Sequence, residues 1–164
     1  MRRTRRFRRR LQPRNSNKFT NSDNALVVSY NGSFYLTNVT LPFDIPLPHD
    51  IEKIGDCISR VSDTTFQLDV GYYRISCYIQ NLVWGSQALT DFIYFAIYDH
   101  ESDIYLDPGM TMIPQWYLIG KSSSFMDIVI KFNLPSTVSV RVPDISGVVD
   151  AIVSPRLTIQ KLNI

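Results

Sequence analysis

This chain of 164 residues holds only two cysteines, two histidines and seven glycines, and it has no apolar run long enough to cross a bilayer as a helix. Each scarcity closes off a class. No membrane insertion is expected. Only Phe7 and Leu11 follow the basic N-terminus as apolar residues, too few for a secretion signal. Cys57 and Cys77 cannot make a disulfide scaffold, and each reads as a small apolar filler in a reducing compartment. Asn31-Gly-Ser33 and Asn38-Val-Thr40 match glycan acceptors, a match that a chain rich in Asn, Ser and Thr makes by accident. His49 and His100 stand in no metal-ligand spacing with the cysteines. A phosphate-binding glycine loop and a nucleophile elbow are both missing. No cofactor, no metal and no catalysis are expected.

Acid is missing from the front of the chain. Residues 1–18 carry nine positive charges (Arg2, Arg3, Arg5, Arg6, Arg8, Arg9, Arg10, Arg14, Lys18) and no carboxylate. The remaining residues hold eight basic and fifteen acidic side chains, so the whole-chain charge of +2 hides a cationic arm on a globule of net −7. A block of like charge repels itself and stays disordered or extended until it meets a polyanion. Arginine dominates the block, and its fork grips phosphate oxygens two at a time. Phe7 adds a ring that can stack on an unpaired base. These ten residues are the candidate nucleic-acid-binding set. Their grip would be salt-sensitive and blind to sequence. A nuclear address or an anionic membrane surface would use the same run.

Residues 1–24 form the arm and a polar linker, and residues 25–164 one folded domain. The body is rich in Tyr, Phe, Val, Ile and Thr, which favour strands. Strands are expected at 25–30, 33–40, 64–70, 72–83, 91–98, 113–119, 125–133, 137–142 and 156–163. Asn31-Gly32 between the first two predicts a hairpin. The proline cluster at 41–48 predicts an extended loop. Ile51, Ile54, Ile58 and Val61 fall at helical spacing behind Asp50, so 50–61 is the helix candidate. Met126, Ile128, Ile130 and Phe132 alternate with Asp127 and Lys131, as in a sheet wet on one side. Together the pattern predicts an all-β fold: a single antiparallel jelly-roll β-sandwich of about eight strands.

Asp99-His100-Glu101-Ser102-Asp103, followed by Asp107, is the densest set of oxygen ligands. It could hold calcium, but a solvated acidic loop is the more economical reading. Trp84 and Trp116 flank turns, and a Trp so placed is more often core edge than interface anchor.

An arginine-rich arm (RRTRRFRRRLQPR), a polar linker and one β-sandwich resemble the coat proteins of small icosahedral viruses. The circovirus-like group with single-stranded DNA genomes is the most similar. That resemblance implies a capsid protein that self-assembles, with sixty subunits in the smallest shell, and packages viral genomic nucleic acid, single-stranded DNA before RNA. It also implies a life in the virion and the host nucleus, and a host receptor the sequence does not identify. The body carries a second resemblance. Phe66-Gln-Leu-Asp-Val-Gly-Tyr-Tyr-Arg-Ile-Ser76, Leu134-Pro-Ser-Thr-Val-Ser-Val-Arg-Val142 and Ser154-Pro-Arg-Leu-Thr-Ile-Gln-Lys-Leu162 look like strands of tumour necrosis factor-like and complement-type heads. That implies the alternative: a trimeric jelly-roll binding module with a polyanion-binding tail. Missing signal and stalk favour the capsid.

Overall fold

Alternating apolar and polar residues make strands, because an extended chain turns successive side chains to opposite faces. The computed structural model describes residues 24–36, 39–84, 92–106, 111–114, 120–146 and 150–164, and these form strands and no helix. In chain order they are β1 (Ala25–Ser29), β2 (Phe34–Tyr35), β3 (Phe43–Asp44), β4 (His49–Ile54), β5 (Ile58–Arg60), β6 (Thr65–Leu68) and β7 (Gly71–Trp84). There follow β8 (Phe92–Asp99), β9 (Ile104–Tyr105), β10 (Thr111–Pro114), β11 (Gly120–Phe132), β12 (Ser136–Val142), β13 (Ile145–Ser146) and β14 (Asp150–Leu162). Among the described residues nine of the fourteen are four residues or longer, close to the eight expected.

Two antiparallel sheets result. One runs β11-β7-β14-β1-β4, with β2 also on β14. The other runs β10-β8-β12-β6-β5, with β9 and β13 on β8 and β3 on β12. The core lies between them. Leu26, Tyr73, Ile75, Ile79, Leu157 and Ile159 meet Phe66, Leu68, Phe95, Ile97, Val138 and Val140, all essentially without solvent access. Burying each such side chain contributes roughly 1.5–3 kcal/mol. The alternation read in 125–133 is the one observed: Met126, Ile128 and Phe132 are buried, while Asp127, Val129 and Lys131 face water.

Two local expectations fail. Residues 50–61 are not a helix. β4 pairs with β1, the chain turns at 55–57, and β5 pairs with β6. The helical spacing there marks no buried face, since Ile58 is buried but Ile51, Ile54 and Val61 are 53%, 40% and 59% exposed. Asp50 accepts a hydrogen bond from Arg60 Nε at 3.1 Å instead of capping a helix. The backbone edge of β1 offers β4 a ladder broken by one irregularity at Val27–Val28, whereas a short helix through Gly55 would have nothing to bury.

Asn31-Gly32 also makes no hairpin. β1 and β2 both run antiparallel to β14, so the chain does not reverse between them. The register steps from Ser29 opposite Arg156 to Phe34 opposite Val153, so residues 30–33 oppose only 154–155. Two extra residues bulge out, and Tyr30 N still donates to Pro155 O at 3.3 Å. Gly32 takes φ 119°, which other residues adopt at a cost. The sequence signal was a true turn former used as a bulge. Of the strand expected over 33–40, the described residues show 34–35, with 37–38 outside them, and the one at 113–119 is seen as 111–114, with 115–119 outside the described residues.

Candidate nucleic-acid interface

Arg2, Arg3, Arg5, Arg6, Phe7, Arg8, Arg9, Arg10, Arg14 and Lys18 all lie outside the described residues, which begin at Asn24. The structure does show where the arm leaves the body. Asn24 O accepts from Lys161 N at 3.0 Å, and Asn24 Oδ1 accepts from Cys57 N at 3.1 Å. The arm is thereby rooted beside the last strand and the β4–β5 turn. Lys161 Nζ reaches Cys57 Sγ at 3.4 Å and lies 5.8 Å from the centre of the buried Tyr73 ring. A side chain at Gly71 would meet Lys161 Cε at 2.8 Å, which that flexible side chain can yield, and it is the φ of 148° that favours glycine there. Burial, then the nearby Cys57 and Asp69, push the Tyr73 hydroxyl up to about 12, and it stays a neutral donor to Cys57 O at 3.4 Å. Both cysteines are free. Cys77 is buried, and desolvation pushes its thiol up to about 12.

The outward face of the six-stranded sheet was not read as a site. On β7 it presents Tyr72, Arg74, Ser76 and Tyr78, and on β11 Phe125, Asp127, Val129 and Lys131. Phe125 and Val129 are 62% exposed, and Tyr78 is 42% exposed. Phe125 stands opposite Tyr78, which stands opposite Arg156 of β14. Lys131 stands opposite Tyr72, its Nζ 5.5 Å from the ring centre. Between these rows Arg74 Nε donates to Asp127 Oδ1 at 2.9 Å, and Ser76 Oγ donates to the same oxygen at 2.7 Å. The signal for this face was in the sequence, as rings and cations two residues apart on strands whose other side is apolar.

On the other sheet, β3 and Tyr98 enclose a charged pair on the face turned away from the core. Arg141 donates to Asp44 through Nε at 2.6 Å and Nη2 at 3.0 Å, and its guanidinium lies 3.5 Å from the centre of the Tyr98 ring. Ser139, fully buried, donates to Asp44 Oδ1 at 2.8 Å. Its one proton is thus used, so its oxygen is left to accept from His100 Nε2, 3.0 Å away. This network ties β3, β8 and β12 together.

The described residues of the acidic turn that follows form no cation cage. Asp99 is buried and accepts from Glu101 N at 3.1 Å and Ser102 Oγ at 2.9 Å. Asp103 accepts from the Tyr98 hydroxyl, and Glu101 from Thr137 Oγ1 at 3.1 Å. Each carboxylate is committed to its own donor, and no three His, Cys, Asp or Glu converge among the described residues. Asp99 departs from the expectation of a fully solvated loop. Asp107 and Trp116 lie outside the described residues.

Two facing antiparallel sheets in this order define a jelly-roll sandwich. No family model matches the chain, and no curated protein does. Solved structures match it in shape. The globular domain of zebrafish complement 1qA superposes with a TM-score of 0.61 at 10% identity, covering 85% of this chain and 98% of that one. Eiger TNF from S. frugiperda gives 0.59 at 12% identity, covering 85% of this chain and 91% of that one. The PRD1 vertex protein gives 0.50 at 16% identity, covering 87% and 99%. At these identities the likeness is one of fold. A complement head, a tumour necrosis factor and a viral vertex protein share it, so fold alone does not choose between shell and binding module.

Proposed function

We propose that this chain is a capsid protein: a jelly roll (residues 25–164) that self-assembles into a closed icosahedral shell, with the arm (residues 1–24) neutralising a packaged genome. One observation carries the reading. Nine positive charges without an acid are confined to residues 1–18, on a body of net −6 whose fold is shared by a viral vertex protein. Charge so divided suits a division of labour: symmetric contacts between bodies close the shell, and sequence-blind arms hold nucleic acid. The role is structural, not catalytic. Single-stranded DNA is the favoured genome, and virion and host nucleus are the places of action. Sixty copies would bring about 540 arm charges, matching a genome of several hundred to about two thousand nucleotides.

The test is light-scattering mass with the 260/280 nm absorbance ratio, on the full chain and on a chain lacking residues 1–18. Particles near about 1.1 MDa, sixty times the 18.9 kDa chain, that carry nucleic acid only when the arm is present are the expected result. A nucleic-acid-free trimer from both would overturn the capsid and leave a trimeric binding module.

A further inference from the structure

We propose that the outward face of the six-stranded sheet binds single-stranded nucleic acid, its exposed rings stacking on bases while neighbouring cations meet phosphates. This rests on nucleic acid being the arm's polyanion, and it adds a base-contacting surface on the folded body.

Charge points to the occupant first. In the rows of β7, β11 and β14 between Tyr72 and Tyr78, Arg74, Lys131 and Arg156 stand with one acid, Asp127, and Glu52 of β4 adds a second at the sheet's edge, on a body (residues 25–164) where acids outnumber bases fourteen to eight. The body's polarity is therefore locally reversed. The rings come next. Tyr78 and Phe125 form one row beside Arg156, and Tyr72 lies six residues along β7, about 20 Å away, beside Lys131. Rings and cations spread along exposed strands are the physical components of a base-stacking platform, which tolerates any sequence because every base has a π-face. The third argument is placement. β1 neighbours β14 in this same sheet, and the arm leaves from its first residue. Lys18 lies six residues before Asn24, a reach of about 20 Å, so a strand gripped by the arm can continue onto the face.

A second copy of the chain fits less well. The Arg74–Asp127 pair sits mid-face, and a protein partner would have to bury both charges where interface cores are depleted of charge. A nucleic-acid strand leaves that pair wet and offers Arg74 a phosphate.

The experiment compares two strands of about 20 nucleotides, oligothymidylate and an abasic sugar-phosphate chain of equal length, titrated into the full-length chain at about 0.2 M salt. The expected result is a preference for oligothymidylate of roughly tenfold or more. The double variant Tyr78→Ala, Phe125→Ala should lose the preference and keep the abasic affinity. Tyr78→Phe, which keeps the ring, should retain it. A strand bearing 5-iodouracil should photo-crosslink to peptides holding Tyr78 and Phe125. Equal binding of both strands overturns the stacking face and leaves the arm's role standing. A double variant that keeps the base preference but shrinks the particle makes the face a contact between copies and overturns the proposal. No binding of either strand overturns both readings.

Discussion

Replacing Asp44 by alanine removes the anion at the centre of the β3–β8–β12 network. The Arg141 and Asp44 side chains are only 14% and 21% exposed, so the change strands a mostly enclosed guanidinium and the buried Ser139 hydroxyl. Breaking a fully buried pair costs about 3–5 kcal/mol, and the partial solvent access here lowers that to about 2–3 kcal/mol. For a domain of this size the thermal midpoint should fall by roughly 5–10 °C. The assay is thermal unfolding of parent and variant at neutral pH and in acid. Burial alone would raise the Asp44 carboxyl. Hydrogen bonds from Arg141 and Ser139, with the charges of Arg141 and His100, outweigh it and hold the group below the usual 3.8. A depressed carboxylate gives its full stabilisation above the unfolded value and loses it as pH falls through the folded one. The gap between parent and variant should therefore begin to close near pH 4 and continue closing below it. A variant as stable as its parent at neutral pH, or a gap that does not narrow in acid, would refute the reasoning.

Two further outcomes are expected. Iodoacetamide at neutral pH should label Cys57 in the native chain and leave Cys77 untouched until denaturant is added, as intact mass would show. Binding of single strands should follow salt with a log–log slope of about −8, of which the nine arm charges supply about −6, and should fall to about −2, the share of the three face cations, without residues 1–18.

Strand content and the wet-sided sheet were legible because period-two alternation is local, as at Met126 to Phe132. Residues 50–61 misled because an apolar spacing says nothing of what lies beside it; the edge of β1, far earlier in the chain, decides β4. Asn31-Gly32 reports a backbone preference that a hairpin and a bulge both satisfy. The Asp44–Ser139 bond joins residues 95 apart, and no window of sequence could have paired them. The arm stays an expectation read from charge, its residues lying outside the described ones, while the rings and cations of β7 and β11 joined into one face once the register set Tyr78 beside Phe125.

The pairing of the first strand with the last sets a clock. Leu26 cannot meet Ile159 until nearly the whole chain has left the ribosome, on the order of ten seconds after the arm at synthesis rates of about 5–20 residues per second. During that interval the arginines are already in solution while the six-stranded sheet is still open. On the capsid reading proposed above, the arm would meet nucleic acid before any subunit joins a neighbour, and the order of synthesis would favour cargo first, container second.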